Sequence, residues 1–223
     1  MPVSRETSNW KRDWKRHLTA MLASLGLPID ETALRNLESF AEAILRENDL
    51  LHLVSQAMPE REVVKQIIDS AAISRVICFL PECRVLDVGS GAGIPGIVLK
   101  SIFPGIHLLS LDSAPKKLAF QRDFCCDSSI ELDIIEGDFR RVEIPQSVDI
   151  AIVKAVGHHV DIIRRSRRWL KTGGLLLFME GRSPNKEIDA AVNRVNGLSK
   201  LVSLPYRVEE FDSERYLTII CKK

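Results

Sequence analysis

The chain has 223 residues, of which 45% are hydrophobic and 27% charged, and its formal net charge is only +1. A charge so close to zero excludes global electrostatic attraction to nucleic acid, so any RNA-binding surface has to be a local patch. No apolar run reaches the roughly 18 to 20 residues that a membrane-spanning helix needs. The five cysteines form no CxxC pair, and their odd number suits reduced thiols in the cytoplasm better than a disulfide framework.

The first eighty residues predict helices. Residues 8–24 carry apolar side chains at three- and four-residue steps among basic ones, which predicts a basic amphipathic helix. Asp30 is typical of an N-cap and precedes a second predicted helix over about residues 31–47. Residues 60–77 predict a third helix, with Pro59 in a first-turn position. The chain therefore begins with a long helical segment.

From Arg84 onward, short apolar runs alternate with helical patterns. The runs that predict strands are "RVLDVG", "HLLSLDS", "LDIIEGD", "VDIAIVKAV", "GLLLFMEG", "VSLPYRVEEF" and "RYLTIICKK". This alternation indicates βαβ units and a mainly parallel sheet, while the last two runs leave no room for a helix and predict an antiparallel hairpin at the sheet edge. We expect an α/β domain over residues 60–223 and an N-terminal helical extension over residues 1–59.

A glycine-rich turn follows the first strand in "RVLDVGSGAGIPGIVLK", residues 84–100. Gly89, Gly91 and Gly93 lie where open α/β sheets bind ligands, and the missing Cβ lets a ligand approach the main chain. Two patterns overlap here. An acid–x–GxGxG pattern that begins at Asp87 is typical of S-adenosylmethionine (SAM) binders, and a GxGxxG pattern that begins at Gly91 is typical of dinucleotide binders.

Three further features bear on the choice between SAM and NAD. Asp112 lies about twenty residues downstream in "LLSLDS" and could bind the ribose hydroxyls of either ligand. Pro95 supplies no N–H group for a pyrophosphate at the start of the helix. A dinucleotide domain usually begins near the first strand of its chain, whereas here a helical lead-in comes first and a hairpin closes the chain. These features favour SAM, with an NAD-dependent oxidoreductase as the alternative.

Acidic residues near the strand ends complete the expected cofactor site. Asp138 in "IIEGDF" is placed to accept a hydrogen bond from the amino group of adenine, and Phe139 offers an apolar face beside it; otherwise Asp138 is a surface-loop acid. Asp87 is placed to meet the ammonium group of SAM, to tie the turn together by accepting backbone N–H bonds, or to do both. No Cys or acid stands at ligand spacing from the pair His158 and His159, so no metal is expected.

The runs "LDVGSGAGIPGI", "LLSLDSAPKKLAFQRD" and "IIDS" together resemble one family. This is the bacterial small-subunit ribosomal RNA methyltransferase G family, also called glucose-inhibited division protein B (GidB), in which similar runs stand in the same order at compatible distances. The closing "ERYLTIICKK" is similar to the family's terminal hairpin, so the resemblance covers about residues 40–223. The combination of these runs is much more specific than a lone glycine loop.

The resemblance implies a Rossmann-like class I SAM-dependent methyltransferase in the cytoplasm. It also implies transfer of the methyl group to N7 of a guanosine in the 530-loop region of 16S rRNA, with 16S rRNA or the 30S subunit as partner. Independently of the resemblance, we expect a monomer. Guanine N7 carries a lone pair and no proton, so the reaction needs no general base, which agrees with a sequence that lacks an evident Ser–His–Asp arrangement. A relative that binds rRNA without methylating it is a further alternative.

The chain departs from the family pattern where the substrate is expected. The family's Arg-His before "DS" is Lys65 and Gln66 here, its Arg at the end of the fourth strand is Lys154, and its Lys after the fifth strand is Glu180. Lysine keeps the charge of arginine but loses its bidentate fork, and Glu180 cannot bind phosphate. Lys154, Lys65 and Asp69 are our candidates for the substrate side. The RNA contacts are therefore rearranged in this lineage, or the substrate has changed.

Overall fold

The computed structural model describes residues 5–181, 186–208 and 213–223, which form seven α-helices and seven β-strands. The helices are α1 (Arg5–Ser24), α2 (Glu31–Leu51), α3 (Pro59–Ala72), α4 (Gly96–Ile102), α5 (Pro115–Asp127), α6 (His159–Trp169) and α7 (Lys186–Asn193). The strands are β1 (Arg84–Val88), β2 (His107–Asp112), β3 (Asp133–Glu136), β4 (Val148–Lys154), β5 (Leu170–Glu180), β6 (Leu198–Val208) and β7 (Ser213–Lys222). All seven predicted strands are present, although residues 209–211 of the sixth predicted run lie outside the described residues.

The strands form one mixed sheet in the order β3-β2-β1-β4-β5-β7-β6. Strands β1 to β5 run parallel, whereas β7 pairs antiparallel with β5 and with β6 at the sheet edge, which confirms the predicted hairpin. The chain moves outward from β1 to β3 and then returns to the other side of β1 to form β4. This reversal of strand order creates a switch point between β1 and β4, where open α/β sheets bind ligands.

The ends of α2 follow from its sequence. The Asp30 carboxylate accepts a hydrogen bond from the Ala33 N–H at 2.7 Å, which confirms the predicted N-cap. The helix continues one turn beyond the predicted end and stops at His52, whose backbone is left-handed (φ 49°) and whose N–H donates to the Asn48 carbonyl. The third predicted helix is shorter than expected, because it tightens after α3 into a 3₁₀ turn, Ile73–Arg75.

Helices cover both faces of the sheet and bury a core on each. The core under α1 to α5 includes Val85 of β1 and Ile152 of β4. The core under α6 and α7 includes Leu86 and Val153, the next residues along the same strands. Successive strand residues therefore point to opposite faces, as in a three-layer α/β domain.

The N-terminal helices share the first of these cores. The ring of Phe40 in α2 lies 4.9 Å from that of Phe124 in α5, and Leu18 of α1 is fully buried in the same cluster. The helices α1 and α2 therefore belong to the same core as α5. No described helix is both long enough and apolar enough to span a membrane.

Candidate active site

Two adjoining cavities lie at the carboxyl edge of the sheet, beside the switch point. The larger, which we call the α3 cavity, has a volume of about 530 Å³ and is lined by the glycine turn, by α3 and by residues 52–55. The smaller, the β3 cavity, has a volume of about 410 Å³ and is lined by the end of β2 and the loop after β3. Gly89, Ala155 and Val156 line both cavities, so the two meet at this point.

Gly89 and Gly91 serve the turn in different ways. Gly89 has a φ of +70°, and a Cβ there would lie 2.4 Å from Val156 Cγ2, so its hydrogen lets the turn close on the loop after β4. Gly91 has a φ of +56°, but a Cβ there would meet only the Gly89 carbonyl oxygen, at 3.9 Å. Gly91 thus presents bare backbone to open space in the α3 cavity, as a ligand cradle requires.

Gly93, by contrast, packs the turn against the protein. A Cβ at Gly93 would lie 2.4 Å from Ile97 Cδ1, and the residue lines neither cavity. The buried side chain of Gln121 in α5 holds the turn from the same side, because its Nε2 donates to Ser90 Oγ at 2.9 Å and to the Gly91 carbonyl at 2.8 Å. Sequence reasoning missed Gln121; a polar residue on the buried face of α5 was the available signal.

Asp87 lies buried beneath the turn. Its Oδ2 accepts a hydrogen bond from the Gly96 N–H at 2.8 Å, so one of the two predicted roles, tying the turn together, is present. Its Oδ1 has no hydrogen-bond partner among the described residues. Burial raises the pKa of Asp87 to about 7, against the opposing effects of the Gly96 hydrogen bond and the charge of Lys154. An unpartnered carboxyl oxygen therefore lies buried beneath the glycine turn, and the carboxyl is mostly ionised only above about pH 7.

This raised pKa predicts how stability depends on pH. The unfolded chain deprotonates Asp87 near pH 4, whereas the folded protein holds the proton up to about pH 7, so the contribution of Asp87 to stability falls as the pH rises between these values. We expect the unfolding free energy of the wild type, relative to Asp87→Asn, to decrease by up to about 4 kcal/mol across this range. Urea titrations at several pH values check this, and parallel curves for the two proteins would contradict it.

The predicted adenosine-side residues come together in the β3 cavity, which Asp112, Asp138 and Phe139 line with His158. Asp112 Oδ2 accepts from the Gly91 N–H at 2.7 Å, which joins the end of β2 to the glycine turn. The Phe139 ring lies 6.4 Å from that of His158. The sequence thus identified three residues of one cavity.

The Asp138 carboxylate already accepts hydrogen bonds from a neighbouring arginine. Arg140 donates to its carboxylate through Nε, at 2.9 Å, and through Nη2, at 2.6 Å, and these hydrogen bonds hold the pKa of Asp138 down at about 2. The Arg140 guanidinium also lies 5.8 Å from the centre of the Phe139 ring. One arginine therefore contacts both Asp138 and Phe139 in the lining of the β3 cavity.

On the substrate side, Lys154 and Asp69 form a buried ion pair. Lys154 Nζ lies 3.0 Å from Asp69 Oδ2 and 3.3 Å from both the Gln66 carbonyl and Ser70 Oγ. These three acceptors match the three protons of the ammonium group. Lys154 lines the α3 cavity, but its ammonium group already contacts these three acceptors of α3.

The C-terminal hairpin completes this buried pair. The Tyr206 hydroxyl donates to Asp69 Oδ1 at 2.8 Å, and Arg215 Nε lies 3.8 Å from the same oxygen. Burial opposes ionisation of Asp69, but the charges of Lys154 and Arg215 and the Tyr206 hydrogen bond hold the pKa of Asp69 below its ordinary value. Burial and Asp69 together raise the pKa of Tyr206.

Two further departures from the family pattern, Lys65 and Glu180, lie outside the two cavities. Lys65 Nζ lies 3.7 Å from Glu62 Oε2 and lines neither cavity. Glu180 also lines neither, and its Oε2 accepts a hydrogen bond from Thr218 Oγ1 at 2.9 Å. The residues of α3 that line the α3 cavity are instead Glu62 and Gln66.

A buried asparagine holds the segment that forms one wall of the α3 cavity. The side-chain Oδ1 of Asn48 accepts a hydrogen bond from the Val54 N–H at 2.8 Å. The backbone carbonyl of Asn48 accepts from the His52 N–H at 3.0 Å and from Gln56 Nε2 at 2.8 Å. These bonds hold residues 52–55 against the cavity. Asn48 was not among the predicted site residues.

The chain is similar in sequence and in structure to known proteins. A family model described as rRNA small subunit methyltransferase G, GidB, matches residues 33–220. The chain belongs to this family. It is 26% identical over 207 residues to the ribosomal RNA small subunit methyltransferase G of Methylobacillus flagellatus, covering 92% of this chain and 97% of that protein. It is 30% identical over 187 residues to the Anaeromyxobacter sp. protein of the same name, covering 82% of this chain and 85% of that protein.

The solved structure of the mitomycin 7-O-methyltransferase MmcR shares the fold, with a TM-score of 0.60 at 18% identity over 92% of this chain and 72% of that one. The Rossmann-like methyltransferase fold expected from the sequence is confirmed. As a member of the GidB family, the chain is a SAM-dependent rRNA methyltransferase, and this decides between SAM and NAD.

Proposed function

We propose that this GidB-family enzyme methylates N7 of a guanosine in the 530-loop region of 16S rRNA, in the cytoplasm, on 16S rRNA or on the 30S subunit, as a monomer. The observation that carries the proposal is the family match over residues 33–220, in a chain whose α3 cavity opens directly on the glycine turn. In this proposal residues 60–223 are the methyltransferase domain, and residues 1–59 are a helical extension.

The residues present fit SAM. The open space at Gly91, the unpartnered Oδ1 of buried Asp87 and the adjoining β3 cavity offer places for the methionine end, its ammonium group and the adenosine end. In this assignment the backbones of Gly89 and Gly91 hold the methionine end, while Gly93 shapes the turn. Asp112 meets the ribose hydroxyls, and two further residues meet the adenine, namely Asp138 and Phe139.

The methyl transfer requires little from the protein beyond alignment of the methyl group with N7. When bound, SAM supplies a methyl group on a sulfonium, which is already a good leaving group. Guanine N7 has a free lone pair and no proton to lose, so these residues need to orient the base and exclude water. Asp69 fixes Lys154 in the wall of the α3 cavity, and Lys65, outside it, can act as a point charge toward RNA phosphate.

Transfer of labelled methyl groups in vitro tests the proposal. Purified protein and tritiated SAM are incubated with naked 16S rRNA and, separately, with 30S subunits, both from cells that lack the gene. We expect label in 7-methylguanosine after nuclease digestion, and the two arms identify the preferred substrate. Label in another nucleoside would contradict the proposal, and binding to RNA without transfer would favour the catalytically silent alternative.

A further inference from the structure

Glu62 and Gln66 form a hydrogen-bonded pair in the wall of the α3 cavity. They lie one helical turn apart on α3, and both line the cavity. Gln66 Nε2 donates to Glu62 Oε1 at 2.5 Å. Because an ionised carboxylate only accepts, the amide of Gln66 must turn its nitrogen toward Glu62. The pair therefore offers an acceptor, Glu62, beside a donor, the remaining N–H of Gln66.

A carboxylate is an unexpected neighbour for RNA, because it repels the phosphate backbone. It can face RNA favourably only where the nucleotide presents hydrogen-bond donors, which are base N–H groups and the 2′-hydroxyl. The carboxylate of Glu62 has room for them, since its two oxygens offer about four acceptor positions and Gln66 occupies one. Lys65 Nζ lies 3.7 Å from Glu62 Oε2, which is close enough for an ion pair but beyond hydrogen-bond distance, so it occupies none of these acceptor positions.

Guanine is the base whose edge matches this pair. Its Watson–Crick edge presents the O6 acceptor and then two neighbouring donors, N1–H and N2–H. Adenine and cytosine present a ring nitrogen with a lone pair where guanine has N1–H, and uracil presents only one donor between two acceptors. We propose that Glu62 accepts from N1–H and N2–H of the target guanine while Gln66 donates to O6, so that these two residues select the base. The inference rests on the proposed function and deepens it.

The same arrangement leaves N7 free. A series of contacts leads from Glu62 to the glycine turn. The Glu62 side chain contacts that of Gln66, and the backbone carbonyl of Gln66 lies 3.3 Å from Lys154 Nζ. In the loop after Lys154, Val156 packs against Gly89 of the glycine turn. On guanine the polar groups follow in the order N2, N1, O6 and N7. With the Watson–Crick edge on α3, N7 therefore lies at the glycine-turn end of the cavity. Selection of the base and exposure of its N7 lone pair come from one docking orientation.

Replacing the target guanosine with inosine, which lacks only the N2 amino group, tests the proposal. RNAs with either nucleoside at the modified position are prepared by splinted ligation. We expect the wild type to methylate the guanosine RNA with a kcat/KM on the order of tenfold or more above that for the inosine RNA. Glu62→Gln should lose a similar factor on guanosine and no longer distinguish the two RNAs. SAM affinity by calorimetry should be unchanged.

Glu60→Gln is the matched control. Glu60 lies in the same first turn of α3, its substitution changes the charge by the same amount, and it lines neither cavity. It should keep both the wild-type rate and the preference for guanosine. An unchanged preference in Glu62→Gln, with or without a fall in Tm, would show a merely structural role and overturn the inference, as would a wild type that does not distinguish the RNAs. Failure of the proposed function is separate, because the wild type would then not methylate the guanosine RNA.

Discussion

Replacing Gly91 with arginine should abolish SAM binding and leave the protein folded. A side chain at this position leaves the backbone into open space, where the nearest heavy atom to a new Cβ is the Gly89 carbonyl oxygen at 3.9 Å. The arginine would therefore occupy the α3 cavity without forcing the core apart. The positive φ of 56° adds a strain of about 1 to 2 kcal/mol, which is small beside the stability of a domain of this size. Isothermal titration calorimetry and thermal unfolding measure the two effects separately.

Two alanine variants control for strain in this experiment. Gly91→Ala carries the same backbone strain with almost no bulk, so it should weaken binding much less than Gly91→Arg. Gly89→Ala should damage folding and binding together, because its Cβ would lie 2.4 Å from Val156 Cγ2. A Gly91→Arg protein that binds SAM with the wild-type Kd would contradict the placement of the cofactor beside the turn.

Breaking the Asp69–Lys154 pair should produce the largest loss of stability. The Asp69 side chain is only 3% exposed and that of Lys154 10%, so removing either partner leaves a charge buried without its main partner. Such losses cost about 3 to 5 kcal/mol. We therefore expect Lys154→Met and Asp69→Asn each to lower the urea midpoint sharply at pH 7. The lowered pKa of Asp69 gives the sign of the pH dependence: its contribution is present above about pH 4 and is lost in acid.

A double variant separates pairing from packing. Asp69→Asn combined with Lys154→Met removes both charges, so its cost should be well below the sum of the single costs. Lys15 and Glu42 form an exposed pair with side chains 50% and 51% accessible, and Lys15→Met should cost less than about 1 kcal/mol. Additive single costs in the buried pair would contradict a direct interaction between Asp69 and Lys154.

Much of the fold and of the geometry of the candidate cofactor site could be predicted because the signals are local. The apolar runs predicted all seven strands, and the absence of a helical pattern between the last two runs predicted the antiparallel hairpin. The glycine turn and Asp112 lie at strand ends, and parallel strands bring such ends to one edge. The Gly91–Asp112 hydrogen bond, across 21 positions, is a direct consequence of that geometry.

The contacts of the candidate substrate side could be predicted only in part, because they depend on tertiary packing. The Tyr206 hydroxyl and Asp69 are 137 positions apart and meet only when the hairpin folds over α3. Whether Lys65 or its neighbour Gln66 lines the cavity depends on the rotation of α3 about its axis, which the amphipathic pattern fixes only roughly. Of the two lysines that the sequence suggested, Lys154 lines the cavity and Lys65 does not, and a carboxylate and an amide, Glu62 and Gln66, lie in the same wall.

Mapping the modified nucleotides of 16S rRNA by mass spectrometry, in cells with and without the gene, shows directly whether this enzyme makes the proposed modification. We expect a 7-methylguanosine in the 530-loop region to be present with the gene and absent without it. Wild-type protein should restore the modification, and Gly91→Arg should not. An unchanged modification pattern, or a loss confined to another base or region, would contradict the proposed function.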